Sequence, residues 1–444
     1  MINFGPGKMK TVFKLLFLLL LSTNSFAQDR IIQSNIKYYT EKVQNYLDKE
    51  KALSGYYSID ETGIKMFASE KDKINNKPEF FIKWEDVEAY KHSLKMPFCS
   101  AKNIFENYER GTYTKDSLLC SHLSPEHVTY ADIEGKKLLR YKIAIDAGHI
   151  ANDFETGDLE KKYIKIKNDS IRGQADSIQI AEGMLTYATS QLLSEKLKAE
   201  GAEIFSTRVN GFNAFGISFD DWLTKYYATA VDSLYKEGKF TLSQKEWLLG
   251  PKAEKRDKFR EVFKDLELAK RAEIINNFKP DFTVIIHYNV DETNIGWKKP
   301  STKDFNMTFV GGAFMKSDLS SREKRFEFFR LLITDDIEKS ILLSAAVVKN
   351  FEDTLKIKTA TIRDAKYLYK GCLPTSEKGV FCRNLQLPRY IHSPLVYGET
   401  LYQDNINESK LLNSETDKKK NERVQQVADA YFQGILNYTQ TKKK

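Results

Sequence analysis

The stretch YKIAIDAGHI, residues 141–150, decides the fold of this chain. Its first half mixes β-branched and small apolar residues in a short run, which predicts a buried strand. Asp146, Gly148 and His149 follow where that strand would leave its sheet. In open α/β sheets, functional groups gather beyond the carboxyl ends of the strands. His149 is therefore a candidate functional residue if other segments bring partners to the same edge.

The segments that follow predict the rest of an α/β unit. Residues 183–200 carry apolar residues at helical spacing and end before a glycine, and residues 202–207 have the composition of a strand. A strand, a crossover helix and a second strand form a right-handed parallel unit. DFTVIIHYN from Asp281 and SPLVYGE from Ser393 add two further strands. The predicted fold class is α/β, with a mostly parallel sheet flanked by helices.

Residues 1–27 have the pattern of a secretory signal peptide. A basic lead precedes an apolar run from Val12 to Leu21, and Ser25-Phe26-Ala27 offers a small-x-small cleavage site. We therefore expect an exported protein, periplasmic or secreted. The mature chain contains no later segment apolar and long enough to predict a transmembrane span.

Changes in periodicity divide the remaining chain into two predicted parts. Residues 28–138 combine an amphipathic helix with short strands, which predicts a small N-terminal α+β accessory domain of unknown function. Residues 139–440 form the second predicted domain. Within it, residues 209–265 predict a helical insertion, either a lid or a packing buttress, and the polar, lysine-rich stretch 150–177 predicts a surface loop.

Cysteine content and charge restrict the partners. Because an exported protein meets an oxidising compartment, the four cysteines predict two local disulfides, Cys99 with Cys120 and Cys372 with Cys382. The net charge of +8 is mild for 444 residues. No arginine-rich or aromatic-interleaved patch indicates nucleic acid.

Three groups with the chemistry of metal ligands fall at comparable positions. His149 and His287 end two strands, and Glu182 begins the helix after the first strand. Two histidines and one carboxylate are a standard ligand set for catalytic zinc, Zn2+, with a fourth position left for water. Glu399, at the end of SPLVYGE, could act as a general acid and base beside such an ion.

Taken together, these blocks resemble the zinc-dependent N-acetylmuramoyl-L-alanine amidases of bacterial cell walls. IAIDAGH is similar to the strand and first zinc histidine of that family, and AEGMLTYATSQLLSEKLKAEGAEIFSTR to its glutamate ligand, helix and Thr-Arg signature. LAKRAEIINNFKPDFTVIIHYN resembles its arginine and second histidine. RNLQLPRYIHSPLVYGETLYQDN resembles its closing segment with the catalytic glutamate.

The resemblance implies a function and a set of roles. It implies zinc bound by His149, Glu182 and His287, with Glu399 and Arg271 as catalytic residues. The implied reaction is hydrolysis of the amide bond between the lactyl group of N-acetylmuramic acid and the L-alanine of the stem peptide. Peptidoglycan or a muropeptide is then the substrate, and a protein activator is an expected partner.

Departures from the family pattern leave alternatives open. Between His149 and Glu182 lie 32 residues, more than the family usually has, so Glu155 or Glu160 is an alternative carboxylate ligand. Glu182 is preferred because it directly begins an amphipathic helix. Two other functions also stay open: a non-catalytic wall-binding or scaffold protein on an amidase-like fold, and a zinc carboxypeptidase.

Overall fold

The computed structural model of the chain describes residues 29–96, 100, 103, 135–167 and 177–441. The predicted signal peptide, residues 1–27, and the predicted pair of Cys99 and Cys120 lie outside the described residues. Within the described ranges, no helix combines the length and the hydropathy that crossing a bilayer requires.

The strands fall into three sheets, with three, two and seven strands. In chain order, the described strands are β1 (Tyr57–Asp60), β2 (Gly63–Met66), β3 (Phe80–Lys83), β4 (Lys142–Ala147), β5 (Tyr163–Ile166), β6 (Ile178–Ala181), β7 (Glu203–Ser206), β8 (Phe282–Asn289), β9 (Met307–Val310), β10 (Cys372–Pro374), β11 (Val380–Arg383) and β12 (Leu395–Tyr402).

Helices cover both faces of the large sheet. In chain order, the described α-helices are α1 (29–42), α2 (Glu70–Ile74), α3 (Val87–Ser93), α4 (Phe154–Leu159), α5 (Glu182–Ala199), α6 (Phe219–Lys225), α7 (Tyr227–Lys236), α8 (Leu242–Leu249), α9 (Lys255–Lys258), α10 (Lys264–Phe278), α11 (Arg322–Ile333), α12 (Asp336–Asn350), α13 (Lys366–Gly371), α14 (Gln386–Tyr390), α15 (Ile406–Leu412) and α16 (Glu422–Thr441). Shorter helical turns lie at Val43–Leu47, Trp84–Asp86, Phe259–Phe263, Lys316–Leu319 and Phe351–Leu355.

The seven-stranded sheet has the order β10-β11-β9-β12-β8-β4-β7. The neighbours β12, β8, β4 and β7 are parallel, β9 runs antiparallel to β12, and β10 runs antiparallel to β11. Helices α5, α12 and α16 pack over one face and bury a large apolar cluster against it. This confirms the predicted α/β fold class and its mostly parallel sheet.

The register of the central strands brings the candidate residues to one edge. Glu399 on β12 lies opposite His287 on β8, and Ala147 at the end of β4 lies opposite Ile286. Because these strands are parallel, their carboxyl ends meet on the same side of the molecule. His149 follows β4 by two residues, so it lies at this edge too.

The prediction of a surface loop over 150–177 is wrong for its described part. This segment contains α4 and an antiparallel hairpin of β5 with β6. The hairpin buries Ile164 and Ile166 against Ile178 and Ile180 in the main core. Lys165 and Gln179, between these isoleucines, occupy the opposite face, so the lysine-rich composition around β5 concealed a period-two strand pattern.

The N-terminal segment combines α1, a three-stranded sheet and α3, in agreement with its predicted α+β composition. It shares one hydrophobic cluster with the later part of the chain, and the two sides of that cluster include Val43, Leu47, Ile64 and Phe80 together with Phe314, Phe326, Phe329 and Val380. The backbone continues the contact, because the amides of Ala313 and Phe314 donate to the carbonyls of Tyr46 and Leu47, both at 2.7 Å.

The predicted disulfide between Cys372 and Cys382 is wrong, because both cysteines are free and buried. In the β10–β11 register, Cys372 faces Arg383 and Cys382 faces Leu373. Directly opposed residues share a face, and neighbours along a strand alternate between faces. The two thiols therefore lie on opposite faces of the sheet and belong to different apolar clusters.

Candidate metal and catalytic site

His149, Glu182 and His287 converge at the carboxyl edge of the central sheet. One potential ligand atom from each residue lies within 4.8 Å of the other two. Glu182 bridges the histidines, with Oε2 at 3.2 Å from Nε2 of His149 and Oε1 at 3.0 Å from Nδ1 of His287. The structure thus brings together the three residues that the sequence proposed as ligands, from β4, α5 and β8.

The donor set fits a cation. Nε2 of His149 and Oε2 of Glu182 are both buried, and apart from their 3.2 Å contact with each other neither has a hydrogen-bond partner among the described residues. Buried polar atoms are nearly always hydrogen-bonded, so a histidine nitrogen and a carboxylate oxygen that meet only each other suit a shared ligand. A divalent ion between them would satisfy both lone pairs, and the N, N, O composition is that of catalytic zinc sites.

The backbone around His149 is specialised for this convergence. His149 has a φ of 64°, in the left-handed region that non-glycine residues seldom adopt. The preceding Gly148 packs directly on the second histidine, because a Cβ at this position would lie 2.4 Å from Cε1 of His287. A side chain at 148 would therefore displace the His287 ring.

Glu160 holds His149 from the side away from Glu182. Its carboxylate lies 3.5 Å from Nδ1 of His149 and accepts hydrogen bonds from the amides of Ile150 and Ala151. Carboxylates in this position commonly orient metal-binding histidines. Glu155, the other alternative ligand, is exposed and lies 3.7 Å from Lys255. Of the three carboxylates weighed, Glu182 is the one that bridges the histidines.

Arg271 is buried beneath the loop that carries His149. Its guanidinium donates to Glu267 at 2.8 Å, to Asp146 at 3.1 Å, to the carbonyl of Ala147 at 2.6 Å and to that of His149 at 2.7 Å. These bonds engage all three nitrogens of the side chain. The geometry is that of a residue positioning the His149 loop, and the catalytic role that the resemblance implied for Arg271 stays a prediction.

A second buried arginine fixes the continuation of the same loop. Arg208 donates to the carbonyls of Ile150, Ala151 and Gly183, which ties the loop to the first turn of α5. Its neighbour Thr207 donates a short hydrogen bond to Asp146. The Thr-Arg pair found in the sequence is thus part of the support for the His149 loop.

The ionisation of the three ligand residues is strongly coupled. Burial acts to lower the pKa of His149, but the negative charges of Glu182 and Glu160 outweigh it and raise this pKa to about 9. Burial opposes ionisation of Glu182, yet the charge of His149 holds its pKa well below the usual value. Burial lowers the pKa of His287. Without a metal, the triad therefore holds a proton on His149 beside an ionised Glu182.

Glu399 faces the same cleft, which has a volume of about 460 Å³ and is also lined by the three ligand residues. Burial, together with the charge of Glu182, raises the pKa of Glu399 to about 7. A carboxyl with this pKa exchanges protons readily near neutral pH, as a general acid and base requires. Tyr397, two residues earlier on β12, stacks on the His287 ring with centroids 4.6 Å apart.

Sequence reasoning missed several cleft residues. Lys162 lies 3.9 Å from Glu182 and 4.7 Å from the ring centre of Trp297, and Arg383 lines the wall near Glu399. Lys162 follows α4 in the segment predicted to be a loop. No motif marks such residues, because their place depends on how the β5–β6 hairpin and β11 pack.

The helical insertion forms a second, apolar lobe of the cleft. Phe259 and Phe263 lie on the π-helical turn before α10 and line a pocket of about 230 Å³ with His149, His287 and Tyr397. The aromatic cluster of the insertion also buries Ile150, the residue after His149. These contacts are those of a buttress beneath the ligand loop.

Comparison with known proteins agrees with this site. A protein-family model described as N-acetylmuramoyl-L-alanine amidase matches residues 253–437, a range that contains Arg271, His287 and Glu399. His149 and Glu182 precede the matched range in the sequence. The fold places both of them beside His287, which lies within that range. Over residues 253–437, less than half of its length, the chain is similar to the N-acetylmuramoyl-L-alanine amidase family.

Solved structures of such amidases also resemble the chain at low identity. The CwlD amidase from Clostridioides difficile, solved in complex with the GerS lipoprotein, is 18% identical over 68% of this chain and 99% of that chain, with a TM-score of 0.35. Ami1 from Mycobacterium smegmatis is 15% identical over 68% and 99%, with a TM-score of 0.36. A search of curated proteins found no match.

Proposed function

We propose that this protein hydrolyses the amide bond between the lactyl group of N-acetylmuramic acid and the L-alanine of the stem peptide, using zinc bound by His149, Glu182 and His287. The observation that carries the proposal is the pair of buried ligand atoms on His149 and Glu182, which face each other and have no other hydrogen-bond partner among the described residues, with a third ligand residue in reach. The match of residues 253–437 to the amidase family model suggests the substrate class.

The zinc ion, when bound, would lower the pKa of a coordinated water and polarise the lactyl carbonyl. Glu399 would take a proton from the attacking water and return it to the departing alanine nitrogen. Glu160 would keep the ring of His149 oriented, and Arg271 would hold the backbone of its loop. The products would be a free muramic acid lactyl group and a stem peptide with a free amino terminus.

We further propose that the protein acts on peptidoglycan outside the cytoplasm, as the family that it resembles and the amino-terminal pattern of residues 1–27 both suggest. Peptidoglycan is the polymer that contains the proposed bond. A carboxypeptidase with the same ligand set would instead release the carboxyl-terminal residue of the peptide, so the chemistry of the product separates the two activities.

The decisive variant is Glu399→Gln, which keeps the shape of the side chain and removes its ability to accept a proton. We expect zinc to bind near one ion per chain and turnover to fall by about 10²- to 10⁴-fold. The assay measures release of peptides with amino-terminal alanine from purified cell walls by mass spectrometry. Glu155→Gln, at an exposed carboxylate, is the matched control and should keep full activity. An active Glu399→Gln variant would remove Glu399 from the mechanism.

A further inference from the structure

Arg383, the last residue of β11, is a cation in contact with two aromatic rings. Its guanidinium carbon lies 4.9 Å from the ring centre of Phe309 on β9 and 4.9 Å from that of Tyr367 on α13, and these two rings are inclined to each other by 67°. Such cation–π contacts restrain the guanidinium and do not use its N–H groups as hydrogen-bond donors. The residue lines the same lobe of the cleft as Glu399.

The guanidinium of Arg383 differs from the buried arginines of the fold in its partners. Arg271 and Arg330 each form ion pairs with two carboxylates. Across residues 29–96, 100, 103, 135–167 and 177–441, no carboxylate forms an ion pair or hydrogen bond with the Arg383 side chain. A rigid arginine without a carboxylate partner, facing a cleft, is well suited to bind an anionic ligand group.

The cleft has a polar and an apolar lobe, and the lobe in which Arg383 lies indicates which part of the substrate it would contact. Glu399 and Arg383 line the polar lobe, and neither of them lines the apolar lobe beside Phe259 and Phe263. The proposed function requires Glu399 to protonate the departing alanine nitrogen. The leaving peptide must then run through the polar lobe, while the muramic acid side of the amide extends the other way.

We propose that Arg383 binds a free carboxylate of the leaving stem peptide and so determines which peptides are accepted. The inference rests on the proposed function, which fixes the direction of the substrate. The two parallel N–H groups of a guanidinium match a carboxylate in a bidentate pair. Lys162, which also lines this lobe and packs on Trp297, adds positive charge to the same region.

The test compares two substrates that differ in one group. They are N-acetylmuramoyl-L-alanyl-D-glutamine, whose α-carboxylate is its one free carboxylate, and the same molecule with that carboxylate converted to an amide. The zinc-loaded enzyme should prefer the free carboxylate by about 10- to 100-fold in kcat/KM, the range expected for hydrogen bonds to a charged group. Arg383→Gln should bring this ratio close to one. Arg383→Lys should keep part of it, because lysine preserves the charge without the fork.

Lys378→Gln is the matched control, because Lys378 is an exposed cation in the turn of the same hairpin. It should leave the substrate ratio unchanged. Circular dichroism and zinc content establish that each variant is folded and loaded. A wild-type enzyme that treats both substrates alike would overturn the proposal, as would an Arg383→Gln variant that slows both substrates equally and keeps their ratio. Hydrolysis of neither substrate by the zinc-loaded wild type would overturn the proposed function as well.

Discussion

Contacts to its backbone and to its ring hold His149 in an uncommon backbone conformation. Its left-handed backbone is secured by the bond from Arg271 to its carbonyl, and its ring lies between the carboxylates of Glu182 and Glu160. Such backbone strain persists only where the surroundings impose it, and it is common at functional sites. The fold thus stabilises an uncommon backbone conformation at His149, as is typical of residues in ligand-binding sites.

The charges around His149 predict how zinc binding depends on pH. Because the pKa of His149 is raised to about 9 in the metal-free protein, zinc must displace a proton at lower pH. Apparent zinc affinity should rise about tenfold per pH unit up to about pH 9 and level off above it. Competition with a chromophoric chelator at several pH values measures this dependence.

Two variants test the cause of that pH dependence. Glu160→Gln removes one of the charges that raise the pKa of His149, so its affinity should level off at a lower pH than in the wild type. Glu155→Gln should follow the wild-type curve. A zinc affinity that does not change between pH 7 and 9 would contradict the assignment of the proton to His149.

Among individual residues, the sequence predicted best those with metal-ligand chemistry. His149 follows β4, and His287 and Glu399 lie in the carboxyl-terminal halves of β8 and β12; the apolar pattern marks these strands clearly, and parallel strands share their carboxyl edge. The role of Arg271 required coordinates, because its partners Asp146 and the carbonyl of His149 are more than 120 residues away. Arg383 carries no local signal either, since its two rings come from other elements.

Among the elements, the helical insertion has the most direct connection to the site. Its π-helical turn places Phe263 at the centre of an aromatic cluster with Phe219 and Trp222, and that cluster covers Ile150. Single-turn π-helical segments often mark functional sites. The insertion therefore supports the ligand loop and also walls one lobe of the cleft.

Phe263→Ala tests whether the insertion is a buttress or a lid. Removing this buried ring should cost about 3–5 kcal/mol of stability. It should also lower kcat/KM by at least about tenfold, because the ligand loop loses its packing. Leu248→Ala is the control, since it opens the same cluster away from the cleft and should lower the melting temperature with little change in activity. Higher turnover in Phe263→Ala would indicate a covering lid instead.

The sequence predicted elements best where one apolar period dominated. The strand before His149, helix α5 and strand β8 were all expected close to their observed bounds. The β5–β6 hairpin was missed because β5 has only four residues, with Tyr163 and Lys165 outward, which gives a window too short for periodicity. The pairing of Cys372 and Cys382 failed because spacing alone does not show which face of a strand a residue occupies.

In the molecule as a whole, the N-terminal segment and the later part of the chain share one hydrophobic cluster. Val43 and Leu47 pack in one cluster with Phe326 and Phe329 of α11. Glu79 adds an ion pair to Arg325 at 2.6 Å. A separate domain would have its own core. Composition could suggest an α+β unit here, but only tertiary packing shows that it completes the body.

The proposed mechanism depends most on a single zinc ion held by His149, Glu182 and His287. Crystals of the zinc-loaded full chain, measured on both sides of the zinc absorption edge, test this directly. We predict one anomalous peak about 2.0–2.2 Å from a nitrogen of each histidine and an oxygen of Glu182. A peak bound by Glu160 in place of Glu182, or no peak between the two histidines, would contradict the central claim.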